Sequence, residues 1–319
     1  MGMKPQFHAR VNLHGLSAPV SPSGRQVELE SGEQRAVVVG VGGGLRSYAV
    51  GGRQVLDGYA ADEMCPSGRG QLLIPWPNRI EDGSYEFDGR SHQLALDEPV
   101  RSNAIHGLVR WANWTVAEHS AASAALELEL HPQPGYPFSL ALRAEYTLSD
   151  EGLTVRTEAT NVGADPCPYG AGAHPYLAVG EGGVDEVALE LPADTVLESN
   201  ERSLPVGSAP VEEAALDFRA ARPIGPAKLD HCFTGLARDA DGRARVRVGG
   251  AATLWVDESY PYLMVFTGDA LPDVARRSLA VEPMTCPPNA FRSGDGLVRL
   301  EPGDMHTGSW GIKPELVGL

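Results

Sequence analysis

The sequence of 319 residues predicts an all-β fold, a large antiparallel β-sandwich that forms a single domain over residues 1–319. Three observations predict it. Apolar and polar side chains alternate along many short segments, turn-forming residues separate these segments, and no long stretch has the 3.6-residue apolar period of a helix. The 37 glycines and 25 prolines suit a fold with many turns, and no change in composition divides the chain.

The clearest strands lie in the middle of the chain. Residues 126–130 read Leu-Glu-Leu-Glu-Leu, which predicts a strand with one buried face. Residues 140–148 and 153–159 alternate in the same way on either side of the turn at 149–152, Ser-Asp-Glu-Gly. This arrangement predicts an antiparallel hairpin.

Further strands and one short helix are predicted in the second half of the chain. Asp241-Gly242 stands between the apolar stretches 233–236 and 244–248, which predicts a second hairpin. Residues 262–266 read Tyr-Leu-Met-Val-Phe and predict another strand. Residues 212–221 are the best candidate for a short helix.

The charge and the chain ends point to a cytoplasmic protein. The net charge of −16 would repel nucleic acid and an anionic membrane surface, so neither is an expected partner. No apolar run approaches the length of a membrane span, and the N-terminal residues lack the apolar core of a signal peptide. The four scattered cysteines suggest reduced thiols. The sequence does not indicate an oligomeric state.

No cofactor or metal site is predicted from the motifs. Residues 37–45 are rich in glycine, but their spacing does not match a dinucleotide loop and a strand rather than a helix is predicted to follow. The chain has no Walker loop, His-Glu-x-x-His or Gly-x-Ser-x-Gly motif, and its histidines lack the spacing of metal ligands. The expected partner is a small molecule.

Glu282 ends the predicted strand 278–282 and directly precedes a proline. Its strand neighbours on the same face are Ser278 and Ala280, both small, and Pro283 restricts its backbone to extended conformations. A glutamate in such a place is either a solvated residue at the end of a strand or a carboxylate in a small-residue recess.

His174 stands in the same local pattern. In an extended chain it shares its face with Gly170 and Gly172, and Pro175 follows it. A lone histidine is more often a hydrogen-bonded structural residue. The repeated pattern instead favours a pair, in which a histidine donates a proton while Glu282 accepts one.

Other polar residues interrupt apolar segments in three places. Asn78 and Arg79 follow two prolines, His106 precedes a glycine and two nearby tryptophans, and Asp230 stands at the entry to a strand. Each could be an ordinary surface or turn residue. Together they predict a pocket with hydrogen-bonding groups and aromatic walls, as a polyhydroxylated ligand requires.

Five short motifs, taken in order, resemble the aldose 1-epimerase (galactose mutarotase) family. The resemblance extends from about Val37 to Gly311. The motifs are Pro-Asn-Arg at 77–79, Ile-His-Gly at 105–107, Ala-His-Pro-Tyr at 173–176, Leu-Asp-His-Cys-Phe at 229–233 and Val-Glu-Pro at 281–283. The fold that this resemblance implies is the large antiparallel supersandwich of galactose mutarotase.

The resemblance also implies an activity and a site. It implies interconversion of the α and β anomers of a free hexose such as glucose or galactose, without a metal or cofactor. His174 would be the general acid and Glu282 the general base. The implied substrate-binding residues are Asn78, Arg79, His106, Tyr176 and Asp230.

Two features differ from many members of the family and leave the preferred sugar open: Trp76-Pro77 before Asn78, and the segment 284–291 after Glu282. Two other functions also remain as alternatives. A glycoside hydrolase would use Asp230 and Glu282 as its two carboxylates. A non-catalytic sugar-binding protein or sensor would need no matched proton donor and acceptor.

Overall fold

The structure is a computed structural model, and it describes residues 20–271 and 273–315. The predicted all-β architecture is confirmed: regular structure in this part of the chain is almost entirely strand, and its strand pairs are antiparallel. No helix within it is long and apolar enough to cross a membrane. The expectation about the N-terminal segment concerns residues 1–19, which lie outside the described residues.

The larger of two main sheets has nine strands, in the spatial order β10-β11-β12-β13-β27-β23-β22-β17-β20. They are β10 (Thr115–His119), β11 (Ser123–Leu130), β12 (Leu140–Ser149), β13 (Gly152–Asn161), β17 (Ala188–Glu190), β20 (Arg222–Pro223), β22 (Ala244–Val248), β23 (Ala252–Val256) and β27 (Met305–Pro314). The predicted hairpin at 140–159 is β12 and β13, whose facing pairs run from Leu140–Asn161 to Ser149–Gly152.

The second main sheet has eight strands and carries the candidate site. Seven follow the order β19-β18-β21-β24-β25-β15-β5, and β16 also pairs with β25. They are β5 (Leu72–Leu73), β15 (Gly172–Ala173), β16 (Tyr176–Ala178), β18 (Ala193–Ser199), β19 (Pro205–Pro210), β21 (Asp230–Leu236), β24 (Tyr262–Phe266) and β25 (Ser278–Met284).

Smaller elements cover the main sheets. A four-stranded sheet contains β1 (Gln26–Ser31), β2 (Gln34–Val39), β3 (Leu45–Val50) and β4 (Arg53–Gln54). Three strand pairs are β6 (Arg79–Glu81) with β9 (Asn103–Ile105), β7 (Ser84–Phe87) with β8 (Arg90–Gln93), and β14 (Cys167–Tyr169) with β26 (Val298–Leu300). The helices are α1 (Gly183–Glu186), α2 (Ala290–Ser293) and a 3₁₀ turn at Pro99–Arg101.

A continuous hydrophobic core joins the two main sheets. Leu142 and Val155 contribute to it from the nine-stranded sheet, and Val265 and Val281 from the eight-stranded sheet. Strand β12 alternates between buried and more exposed residues along its length, as the sequence period predicts. Side chains on the facing sides of the two sheets therefore pack together as a sandwich.

Two local predictions are wrong. The segments around Asp241-Gly242 do not form a hairpin, because β21 pairs with β18 and β24 in one main sheet while β22 pairs with β17 and β23 in the other. The turn therefore connects two layers. Residues 212–221 form turns and irregular backbone rather than a helix, and Ala215 has a φ of 58°, which a right-handed helix does not allow.

The position of the site follows from the alternation along β25. Val281 points into the main core. Glu282 therefore points to the other face of the sheet, where it is opposite Met264. Met264 belongs to a separate small apolar cluster with Cys232 and Met284. The eight-stranded sheet is thus buried on both faces, and Glu282 lies on the face away from the sandwich.

Candidate active site

A cavity of about 390 Å³ opens on the outer face of the eight-stranded sheet. It brings together all the residues predicted for the site, although the first and last of them are separated by most of the chain. They are Asn78, Arg79, His106, His174, Tyr176, Asp230 and Glu282.

Strand register explains why His174 lies beside Glu282. Strand β25 pairs with β15 at Gly172–Met284 and with β16 at Tyr176–Ala280. In an antiparallel ladder these two pairs place residue 174 opposite residue 282. Gly172 allows β15 to approach β25 closely, because a Cβ there would stand 2.9 Å from the carbonyl oxygen of Pro283.

The two side chains make direct contact in a buried setting. Nε2 of His174 lies 3.4 Å from Oε1 of Glu282, and the two residues are only 5% and 2% exposed. Nδ1 of His174 and Oε2 of Glu282 are also buried, and neither has a hydrogen-bond partner among the residues that the structure describes. Both atoms therefore keep hydrogen-bonding capacity that the described residues do not use.

Burial favours the uncharged form of both groups. It raises the pKa of the Glu282 carboxyl well above its ordinary value of 4.5; the negative charge of Asp230 raises this pKa further, and Arg79 opposes the rise. Burial, and then the positive charges of Arg69 and Arg110, lower the pKa of His174 to about 3. A single proton held by the pair therefore resides on Glu282 in the free protein, while His174 is a neutral base.

Asn78 and His106 hold each other in place. They face each other next to the β6–β9 pair, and both have left-handed backbone, with φ of 53° and 65°. The backbone N–H of Asn78 donates to Nδ1 of His106 at 3.2 Å, and the N–H of His106 donates to the carbonyl oxygen of Asn78 at 2.8 Å. Because Nδ1 accepts, the ring proton of neutral His106 lies on Nε2.

The same arrangement bears on metal binding. His106, His174 and Glu282 each offer an atom within 4.8 Å of the others, a donor set that Zn²⁺ could use. The Nε2 proton of His106 occupies the lone pair that a metal would need, and the other nitrogen is already an acceptor. The cluster therefore fits hydrogen bonding and proton transfer better than metal ligation.

Glu98 fixes the guanidinium group of Arg79 through two hydrogen bonds. Nε and Nη2 of Arg79 donate to the two carboxylate oxygens at 2.9 and 3.1 Å, while Nη1 lies 3.3 Å from Oδ1 of Asn78. Burial would raise the pKa of Glu98, but hydrogen bonds from Arg79 and Asn103 hold it below its ordinary value. Arg79 is thus a fixed cation at the cavity wall rather than a mobile surface residue.

Asp230 and Tyr176 complete the predicted set. Asp230 starts β21 and lines the cavity, and within the described residues no side chain or backbone group hydrogen-bonds to its carboxylate. The hydroxyl of Tyr176 instead donates to the carbonyl oxygen of Ser67 at 3.1 Å. Its ring stacks on that of His174, with centroids 4.7 Å apart and planes 6° from parallel.

Sequence reasoning missed a charged part of the cavity wall that adjoins Arg79. Asp97, Glu98, Arg101 and Arg110 line the cavity but lie between the quoted motifs. The proline directly after Glu98, which starts the 3₁₀ turn, was the one local signal of an irregular wall. Each charge has an opposite partner nearby, since Arg110 and Arg101 donate to Asp97 and Glu98.

The two tryptophans predicted near His106 have different positions. Trp111 is 52% exposed and lines the cavity. Trp114 belongs to the main core, where it packs so closely on Gly43 that a Cβ there would lie 2.8 Å from the indole ring. One aromatic wall therefore comes from Trp111, with Phe266 and Tyr176 also at the cavity.

Comparison with known proteins gives consistent results. The family model "Aldose 1-epimerase" matches residues 25–313. The uncharacterized protein YihR of Escherichia coli (strain K12) is 38% identical over 285 residues, which are 89% of this chain and 91% of that protein. Galactose mutarotase of Homo sapiens is 27% identical over 210 residues, which are 61% of this chain and 60% of that protein.

Solved structures share the fold. The GalM/aldose epimerase homologue from C. elegans superposes with a TM-score of 0.82 at 20% identity, covering 92% of this chain and 99% of that one. Galactose 1-epimerase from Lactobacillus acidophilus NCFM superposes with a TM-score of 0.77 at 22% identity, covering 91% and 95%.

Proposed function

The chain belongs to the aldose 1-epimerase family, and on that premise we propose that it interconverts the α and β anomers of a free hexose such as glucose or galactose. One observation carries the proposal: His174 and Glu282, a proton donor and a proton acceptor, are both buried and in contact at 3.4 Å in the wall of a cavity. The two oxygens that exchange protons in a hemiacetal share one carbon, so a donor and an acceptor that are neighbours match them.

The proposed reaction needs only proton transfers. Glu282 removes the proton of the C1 hydroxyl while His174 donates a proton to the ring oxygen. The bond between C1 and the ring oxygen breaks and leaves an open-chain aldehyde. Rotation about C1–C2 presents the other face of the carbonyl, and ring closure reverses both transfers. Each transfer by a positioned group accelerates such a step by about 10²–10⁴-fold.

One proton on the pair is sufficient for this cycle. In the free protein that proton resides on Glu282, the arrangement that the mechanism reaches after ring opening. Its movement to Nε2 of His174 across the 3.4 Å contact gives the carboxylate and imidazolium that start ring opening. The net charge of the pair is zero in both arrangements, but the second places two opposite charges in a buried site, and their mutual attraction across the contact offsets part of that cost.

The remaining residues would hold the sugar. Arg79 and the Nε2–H of His106 can donate hydrogen bonds to sugar oxygens, and Asp230 can accept them from hydroxyl groups. Asn78 supports the first two through its own hydrogen bonds. Arg79 also remains charged throughout, so it would stabilise negative charge that develops on a sugar oxygen.

The site is less suited to glycoside hydrolysis. That reaction uses two carboxyl groups on either side of the bond, about 5–9.5 Å apart. Here the immediate partner of Glu282 is an imidazole. A mutarotase leaves glycosidic bonds intact, so incubation with a methyl glycoside separates the two activities.

Polarimetry tests the proposal directly. Freshly dissolved α-glucose and α-galactose should approach their equilibrium rotation faster with the protein than in buffer alone, while a methyl glycoside should be unchanged. Equal rates with and without protein on every aldose tried, or release of methanol from the glycoside, would contradict the proposal.

We also propose a cytoplasmic protein with one domain over residues 1–319. The four cysteines, all within the described residues, are buried and unpaired, which suits a reducing compartment. The continuous core between the two main sheets supports a single domain.

A further inference from the structure

Arg69 lies behind the cavity wall, against the ring that stacks on His174. Its guanidinium carbon is 4.1 Å from the centroid of the Tyr176 ring. The loop that carries Arg69 also packs on the histidine: a Cβ at Gly68 would lie 3.3 Å from Cδ2 of His174, and the N–H of Gly70 donates to the His174 carbonyl oxygen at 2.8 Å. Arg69 is not a cavity-lining residue, so it reaches the site through Tyr176.

Arg69 is buried, and two of its nitrogen donors lack hydrogen-bond partners within the described part of the chain, which costs folding free energy. The residue is 3% exposed, and Nη2 donates to Asp57 at 3.0 Å. Nε and Nη1 are buried and find no hydrogen-bond partner in the part of the chain that the structure describes. An unsatisfied buried donor usually costs about 1–3 kcal/mol. A hydrogen bond to Asp57 alone does not explain why a long cation is kept here.

We infer that Arg69 is a positioning residue for the proposed reaction: through the ring of Tyr176 it holds the His174 imidazole in place and fixes a positive charge beside the proton-transfer pair. The inference rests on the proposed function. A planar guanidinium against a tyrosine ring is a favourable cation–π contact, which restrains that ring. The hydroxyl of Tyr176 is fixed separately by Ser67.

Three arginines, including Arg69, place positive charge near His174. The cations are Arg69, Arg79 and Arg110, and all three lower the pKa of His174. Arg69 is the largest contributor after burial. The counter-ions of these arginines are Asp57, Glu98 and Asp97, respectively.

The facing acids are Asp230 and Glu282, both at the cavity. His106, Tyr176 and Cys65 also surround His174, and burial favours the neutral form of each. Against this background, loss of Arg69 removes a positive charge that no other described residue near the Tyr176 ring supplies.

Arg69 should extend the activity of the pair to lower pH. The pair works with one proton, so a second proton on His174 next to protonated Glu282 abolishes the base. Positive charge at Arg69 opposes that second protonation and extends activity to lower pH. Without Arg69 the pKa of His174 rises, and activity is lost at a higher pH. The Tyr176 ring separates Arg69 from His174, so this change is smaller than one between groups in direct contact.

The experiment compares Arg69→Met, which removes the charge and the fork, with Arg69→Lys, which keeps only the charge. Arg69→Gln replaces the methionine variant if that one does not fold. Arg277→Met is the matched control, because Arg277 also binds Asp57, through two hydrogen bonds at 3.0 and 2.9 Å, but its side chain is 51% exposed and, among the described residues, it is Arg69 that lies over the Tyr176 ring. The readouts are pH profiles of mutarotation and NMR titration of the His174 imidazole.

For Arg69→Met we expect the acid limb of the pH profile and the NMR pKa of His174 to rise by up to about one unit, with kcat lower by roughly 3–10-fold at the optimum, the loss of one cation–π contact, and KM little changed. Arg69→Lys should show the same low-pH side of the pH–rate profile as the wild type, because the charge is kept. Its kcat should still be lower, because the planar guanidinium is lost. Arg277→Met should match the wild type.

An acid limb and an imidazole titration that do not change in Arg69→Met would overturn the electrostatic part. Normal kcat in Arg69→Lys would overturn the positioning part. Failure of the proposed function is distinguishable from both, because the wild-type protein would then show no mutarotation while NMR would still report the pKa of His174.

Discussion

Replacement of Glu282 by glutamine is the sharpest single change at the site. The carboxyl is 2% exposed, and burial raises its pKa, so in the free protein it is a neutral acid. Glutamine has nearly the same shape and is also neutral. The substitution therefore introduces no cavity and no new charge, and the fold should tolerate it.

Activity should respond very differently from binding. Glutamine cannot accept and return a proton, so the catalysed rate should fall by about 10²–10⁴-fold, the usual contribution of one acid–base group. This loss corresponds to roughly 3–5 kcal/mol of transition-state stabilisation. Sugar affinity should stay within about tenfold, or 1.4 kcal/mol, because the other wall residues are untouched.

The assay pairs calorimetric sugar binding with polarimetry on one sample of Glu282→Gln. Thermal unfolding of the same sample checks that the variant is folded. Near-normal turnover would refute the assignment of Glu282 as the base. Loss of binding together with activity would instead make Glu282 a ligand-holding residue.

Other predictions concern the neighbours of Glu282. His174→Asn should lose a comparable part of the rate, and the double variant should lose little more, because each group needs the other in one step. Arg79→Ala should raise KM and lower kcat, with only partial rescue by lysine, which lacks the planar fork; unchanged constants would make Arg79 structural. Tyr176→Phe should keep near wild-type KM, because its hydroxyl donates to Ser67; a large increase in KM would restore Tyr176 as a sugar ligand. Denaturant unfolding should show Glu282→Gln gaining stability over the wild type as pH rises above about 4.5, since unfolded Glu282 ionises there while the folded carboxyl stays protonated; a constant difference would contradict the raised pKa.

The strands could be predicted wherever the signal was local. The Leu-Glu alternation at 126–130 and the hairpin at 140–159 follow from side-chain period and turn residues, and both are confirmed. Asp241-Gly242 has the same local signal, but its flanking strands pair with other partners in separate sheets. Which strand pairs with which is decided by distant parts of the chain, and a turn motif does not contain that information.

At the candidate site, too, local features could be predicted from the sequence and long-range strand pairing could not. The prolines after His174 and Glu282 and the small residues around them indicated two unusual strand segments, although β25 does not end at Glu282 as predicted and continues to Met284. The register that places them opposite each other is set by the Gly172–Met284 pair, which the sequence alone does not display. Arg69 and Glu98 escaped notice because each lies in an irregular loop where no periodic pattern distinguishes a buried charge from a solvated one.

Exchange of anomers at equilibrium is the measurement that tests the central claim most directly. In a mixture of α- and β-galactose or α- and β-glucose, saturation of one anomeric proton by NMR should transfer to the other when wild-type protein is present, and not at the same concentration of Glu282→Gln or His174→Asn. Equal transfer with the wild type and both variants would show that mutarotation, if present, does not depend on this pair, and would contradict the account.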